Sequence, residues 1–523
     1  MIQRLNNYRG KWIDGVSSNP LLRGILSPVS VAFFYGLFLA AYEIKFLREF
    51  LPVVHPFLIA WAVLVCGYQI VLRWQWKQIP HVGWLVLFAG AALVTVVLNL
   101  EVGIVGGVKS WVLTVLPLFC FYPMCAVTDA QKRKASIVTA LLGAAVIIFL
   151  ASASALYMYF IRYQEYVTIG EVTYFVGVSH YLHYDVNSAV LLYGLYVDTN
   201  HAAIYALVFG AYSVFLFAEC RRGLYKHAWQ NVLGQVFAVI NLVVQICYFP
   251  FANSRGGWLS MAVAAFFACF CYFFFCKPLS AKKLRAALAG ILASVLVVAV
   301  LVGGLLALRT GLARASAEIA AASQPSQPVV TEPSQSVATE PSQSVATQPS
   351  ESIPPETEPH TPDNITPDVF EKESEALGAG RILLWKEALS LFAHKPVFGT
   401  TPAGVEHYAN AYQVEGKLQS GGAIHNSYLD LLVEYGIVGF VLLIVFWVAC
   451  VIQVIKYLAE YGKAVNGTYL LVGFCVILVA VAAVFLSCMY ISTTAMYFFM
   501  LVMAGYLVCP EMRQSNKEVT QGE

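Results

Sequence analysis

The chain alternates long apolar runs with short polar breaks. Runs of roughly 20 residues, enough to cross a bilayer, recur about twelve times. They lie near Ile25–Tyr42, Val54–Leu72, Val82–Leu100, Trp111–Val127, Ile137–Tyr159, Ala202–Ala218, Val232–Pro250, Trp258–Phe275, Ala287–Leu308, Ile437–Ile455, Tyr469–Met489 and Thr493–Val508. This pattern predicts an all-α polytopic membrane protein of about twelve transmembrane helices. The charged Glu43, Lys45 and Arg48 can shift the first span by several residues.

Composition agrees with the pattern. The 523 residues are 59% hydrophobic and 12% charged, with mean hydropathy +0.69, against about 45–50% and about 25% in soluble domains. A soluble enzyme, a disordered regulator and a nucleic-acid binder are excluded, and a net charge of +2 gives no field for polyanions. Lys and Arg favour short cytoplasmic loops. With the N-terminus inside, twenty of the 32 Lys and Arg fall on that side, among them Arg73, Lys77, Arg133, Arg221, Lys283 and Lys456. Both termini are therefore expected in the cytoplasm. No small-residue cleavage site flanks the first span, so no removable signal peptide is expected. All twelve cysteines sit in or beside apolar segments, as small hydrophobes do, and neither a disulfide framework nor a metal site is expected.

The inner loops are short and carry no Walker or Gly-x-Gly-x-x-Gly sequence, so an activated substrate could not be bound there by this chain alone. Two outer segments are large: Arg162 to Asn200, rich in Tyr and His, and the 117 residues from Arg309 to His425. The latter begins with an eight-residue repeat, TEPSQSVA at Thr331 and again at Thr339, then TQPSESIP at Thr347. Such a composition cannot bury enough surface to fold and reads as a tether. The expected organisation is helices 1–9 over residues 1–308, a disordered linker over 309–375, a helical outer region over 376–436, and C-terminal helices with a cytoplasmic tail over 437–523.

In the outer region, Arg381 to Ala393 has the spacing of an interfacial amphipathic helix that Pro396 ends. Asn426 or Ser427 can cap the helix that follows. Three groups then lie outside, where the charge bias of the loops disfavours basic residues: Arg255 in the turn Asn253-Ser254-Arg255-Gly256-Gly257, Arg381 opening the interfacial helix, and His425 opening the last membrane-proximal helix. Arginine's fork fits phosphate oxygens, and histidine accepts a proton near neutrality. Together they suit transfer of a group away from a phosphate leaving group, supplied on a lipid.

Ser254-Arg255-Gly256-Gly257, Gly380-Arg381 with Trp385, Pro396 and Gly399, and His425-Asn426-Ser427-Tyr428-Leu429 with Glu434-Tyr435-Gly436 resemble the O-antigen ligase and polymerase family of bacterial membrane glycosyltransferases. The element Gly194 to Asn200 resembles that family's Gly…Asn element, although Leu191, Leu192 and Tyr193 stand where an Arg is usual and Thr199 where a Pro is usual. The resemblance implies an α-helical fold of the membrane glycosyltransferase type in the bacterial plasma membrane. The donor would be a glycan on undecaprenyl diphosphate, and the acceptor a glycan or lipid-glycan. Transfer would be inverting and need no metal or other cofactor. By the same resemblance, Arg255 and Arg381 bind the diphosphate and His425 orients or deprotonates the acceptor hydroxyl, with Asn200, Gly194, Trp385, Asn426 and Glu434 contacting substrate. A multi-span transporter is the alternative reading, and a tethered surface-binding module a third. Scarcity of charge inside the spans weighs against transport, which places charged sites near the bilayer midplane.

Overall fold

The computed structural model describes residues 13–72, 79–125, 130–169, 172–180, 190–280, 282–322, 367–489 and 494–508. The octapeptide repeat, the sequon at Asn364, the basic residues Arg4, Arg9, Lys11, Arg73 and Lys77, and the C-terminal tail lie outside them. Helices dominate. Among the described residues eight are long and apolar enough to cross a membrane: Leu51–Ile70, Ile104–Met124, Lys132–Phe160, Thr199–Arg221, Ala228–Phe251, Arg255–Cys276, Lys283–Ile319 and Ser427–Ala464. Four of the twelve expected segments are shorter apolar helices, Pro28–Tyr42, Val82–Leu98, Gly467–Ala482 and Ala495–Leu507.

In chain order the principal helices are α1 (Pro28–Tyr42), α2 (His55–Gly67), α3 (Val82–Leu98), α4 (Ile104–Cys120), α5 (Ala130–Phe160), α6 (Thr199–Arg221), α7 (Ala228–Tyr248), α8 (Arg255–Cys271), α9 (Lys283–Ala322), α10 (Pro367–His394), α11 (Val405–Ala411), α12 (Ser427–Tyr461), α13 (Gly467–Ala482) and α14 (Ala495–Leu507). Helix α14 is apolar on every side and buried along its whole length, as such a helix must be. Around it α1 packs on α5, α6 on α7 and α13, α8 on α13, and α3 on α12. Helix α9 instead leaves Leu284, Leu288, Leu292 and Leu296 exposed, a face suited to lipid.

The fold departs from all-α in one place. Three strands pair in an antiparallel sheet, β1 (Gln164–Ile169), β2 (Val172–His180) and β3 (Val190–Gly194). The cause is local: Tyr166-Val167-Thr168-Ile169 and Val172-Thr173-Tyr174-Phe175-Val176 are the β-branched and aromatic residues that fit a pleated surface. Lys45, from the turn after α1, donates its ammonium to the Phe175 carbonyl and lies 4.9 Å from the Tyr193 ring centroid. Burial lowers its pKa to about 8.

Two further boundaries differ from expectation. Helix α9 runs on past Leu308 to Ala322, because Ala and Leu keep helical propensity after Arg309. Helix α10 starts at Pro367, so Arg381 lies within a helix rather than opening one. Proline at the first helical position is favourable.

The segment 381–436 has a hydrophobic core of its own. Ala388, Leu391, Tyr408, Ala409, Val414, Leu418, Ile424 and Val433 form it, with Trp385, Phe392 and Leu429 packed against them. This cap is clasped to the bundle by main chain. Gly436 has φ +64° and ψ −173° and breaks α12. There, Thr400 and Thr401 N–H donate to the Val433 and Glu434 carbonyls (3.0 and 2.8 Å), and Ile437 N–H donates to the Pro396 carbonyl (2.8 Å). A Cβ on Gly436 would lie 2.3 Å from the Val397 carbonyl oxygen. At the rim, the Lys395 ammonium donates to Asn99 Oδ1 (2.7 Å), lies 3.5 Å from Glu101, and covers the Tyr408 ring.

Candidate active site

Three helices begin at the same place. Helix α6 is capped by Asp198, whose carboxylate accepts the Asn200 N–H at 2.6 Å. Helix α8 is capped by Ser254, whose hydroxyl accepts the Gly257 N–H at 3.0 Å and donates to Asn200 Oδ1 at 2.8 Å. Helix α12 is capped by Asn426, which accepts from Tyr428 and Leu429 N–H at 3.0 and 3.2 Å. Ser427 ties this third start to the others. Its N–H donates to the Ala483 carbonyl and its hydroxyl to the Leu486 carbonyl, both at 2.8 Å, while Phe485 packs beside Gly256.

The first of these starts is held from below by a buried polar ladder. Asn241 donates to Ser213 (2.8 Å), Gln245 to Asn241 (2.9 Å) and Ser152 to Gln245 (3.0 Å), and the Ser152 and Tyr196 hydroxyls pair at 2.8 Å. Buried polar groups need such partners. The strand entering α6 is also paired with residues 43–45, through Val197 N–H to the Glu43 carbonyl and Lys45 N–H to the Leu195 carbonyl, both 3.0 Å.

Around this junction stand the expected cations. Arg255 is the first residue of α8 and is exposed, and Arg381 is half-buried on α10. Among the described residues neither has a hydrogen bond or ion pair. His425 is exposed, with φ +56°. Its imidazole is held below the ordinary range, first by partial desolvation and then by the Arg381 guanidinium, with His201 and Lys417 acting in the same direction and Asp198 opposing. Both influences favour the neutral imidazole. Arg309 reaches the same corner from α9, donating to Asn253 Oδ1 at 3.5 Å.

His425 feels the charges of Arg381 and of Asp198 and His201 at the start of α6, where Asn200 accepts from Ser254, the residue before Arg255. Trp385 lies one turn beyond Arg381, half-buried, and its indole N–H is buried without a partner. Other expected contacts have structural occupations. Asn426 spends its side chain on the helix cap. Gly194 is buried with φ +52°, and a Cβ there would lie 2.3 Å from that of Ala155, so it packs β3 onto α5. Glu434 sits about two turns below His425 on α12, beside the clasp. Asp198, His201 and Glu43 also stand at the junction, beyond the residues expected there. Asp198 has a signal in the sequence, as an N-cap residue directly before a span. Among the described residues no group of three or more His, Cys, Asp or Glu could hold a metal ion.

Residues 240–444 match the family described as O-Antigen ligase. The match covers Arg255, Arg381, Trp385, His425, Asn426 and Glu434. No curated protein matches the chain.

Proposed function

Because residues 240–444 match the O-antigen ligase family and eight described helices are long and apolar enough to cross a membrane, we propose that the protein is a membrane ligase or polymerase of polysaccharide synthesis that takes its glycan from a polyprenyl diphosphate carrier. The transfer takes place at the outer face of the bacterial plasma membrane, with both termini in the cytoplasm. Undecaprenyl diphosphate is the carrier and a hydroxyl of a glycan or lipid-glycan is the acceptor.

The observation that carries this reading is the pairing of His425 with the Arg381 charge beside the start of α6, to which the start of α8, with Arg255 as its first residue, is tied through Ser254 and Asn200. Two arginines with no hydrogen bond or ion pair among the described residues are positive charge in waiting for an anion. The starts of α6 and α8 add the positive ends of their helix dipoles. The diphosphate binds between Arg255 and Arg381, placing the anomeric carbon near His425. The acceptor oxygen bonds to that carbon as its bond to the diphosphate oxygen breaks, and configuration inverts. The hydroxyl proton passes to His425, and the electron pair leaves on the diphosphate, where the arginines stabilise the developing charge. Charge on the leaving group is met by side chains, so the step needs no metal. The unpartnered Trp385 N–H is a donor for the bound glycan.

The test is the lipid-linked glycan of a deletion strain complemented with Ala variants of Arg255, Arg381 and His425. Single repeat units on the carrier identify a polymerase, and full chains left on the carrier identify a ligase. Normal glycan in all three variants rejects the proposal.

A further inference from the structure

Glu43 and His201 stand behind this junction without a part in the transfer as described. Glu43 is buried, and its carboxylate has two side-chain partners. The Tyr205 hydroxyl donates to Oε1 at 2.7 Å, and His201 Nδ1 lies 3.3 Å from Oε2. A carboxylate only accepts hydrogen bonds, so Nδ1 carries a proton and Nε2 is the polar atom of the ring left to act. The pair is fixed from both sides: the Glu43 main chain accepts Val197 N–H, and His201 lies in the first turn of α6, beside Asn200. Asn200 in turn accepts from Ser254, the residue before Arg255. The ring keeps 18% of its side-chain surface exposed, and the charged or titratable groups facing it are Glu43, Tyr205, Asp198, Arg48 and His425.

We infer that His201, oriented by Glu43, is a binding residue of the transfer site, its Nε2–H donating to the diphosphate of the lipid carrier from the α6 side. This rests on the glycosyl-transfer reading above. With Nδ1 against Glu43, a ring that also carries a proton on Nε2 is a cation whose counter-charge is already in place. It can meet a phosphate oxygen through a charge-assisted hydrogen bond while Glu43 fixes its plane, as a second group commonly orients a working histidine. The two histidines then have separate roles, His425 taking the acceptor proton and His201 holding the leaving group.

Binding of undecaprenyl diphosphate, with the monophosphate in parallel, is measured on the full-length protein in lipid nanodiscs by native mass spectrometry. His201→Ala and Glu43→Gln are expected to raise Kd for the diphosphate at least tenfold and to narrow its advantage over the monophosphate. His425→Ala keeps Kd within about threefold of wild type while losing transfer. His201→Gln, which keeps volume and one donor, falls between wild type and His201→Ala, and serves if the alanine variant fails to insert. A folded His201 or Glu43 variant, melting as wild type does, that binds the diphosphate with wild-type Kd overturns the inference and leaves the function standing. Wild-type protein that does not bind the diphosphate overturns both.

Discussion

The Ser254 hydroxyl donates to Asn200 Oδ1 at 2.8 Å while accepting the Gly257 N–H. One hydroxyl therefore closes the start of α8 and ties it to the start of α6, fixing Arg255 relative to Asp198 and His201. Ser254→Ala removes the cap and leaves Asn200 short of a donor. The expected loss is about 1–2 kcal/mol of stability, with turnover down by about tenfold, read by thermal melting and by transfer from a lipid-linked donor.

His425 is the proposed proton acceptor, so His425→Ala should lower turnover by about 10²–10⁴-fold, with insertion unchanged. A variant retaining more than a tenth of wild-type turnover would assign the base elsewhere.

Arg255→Lys and Arg381→Lys preserve charge and remove the planar fork. Each should recover only part of the activity lost in the Ala variants, since a point charge does not replace two parallel hydrogen bonds. Full recovery by Lys would mean that charge alone suffices. The measurement is kcat/KM for the donor in matched proteoliposomes.

The pH dependence follows from the neighbours of His425. Its imidazole is held below the ordinary range by desolvation and by Arg381, so it stays neutral, and active as a base, to lower pH than a free histidine. The acid limb of kcat should therefore fall below pH of about 6.5. Arg381→Gln removes a depressing charge and should move the residual acid limb upward. Asp198→Asn removes the opposing charge and should move it downward. Shifts in the reverse directions would contradict this arrangement.

Gly436→Ala should destabilise the protein by more than about 1–3 kcal/mol, because its backbone lies in a region reserved for glycine and a methyl would overlap the Val397 carbonyl. An unchanged melting temperature would mean that the clasp is dispensable.

Much of the site is legible in the sequence because charge is scarce. Arg255, Arg381 and His425 stand out on the outer side of an apolar chain, and Asn426 announces a cap by its residue type. Glu43 and His201 are not legible, because 158 residues separate them and each alone reads as an ordinary flank of a span. The sheet is hidden for a different reason. Its alternating β-branched and aromatic residues sit in a segment whose Tyr and His content suggests loop. Gly399 and Gly436 are visible as glycines, but only the approach of Gly399 to the Val433 and Glu434 main chain, and of Gly436 to that of Val397, explains why neither position tolerates a side chain. The length of α10 depends on residues before Arg381, where composition marks a linker.

The clasp between Pro396–Thr401 and Gly436 has a consequence for the architecture of the chain. The cap is moored to α12 downstream, through the main-chain hydrogen bonds of Thr400, Thr401 and Ile437. The depth at which Arg381 and His425 sit is therefore set by α12, a helix long and apolar enough to cross a membrane.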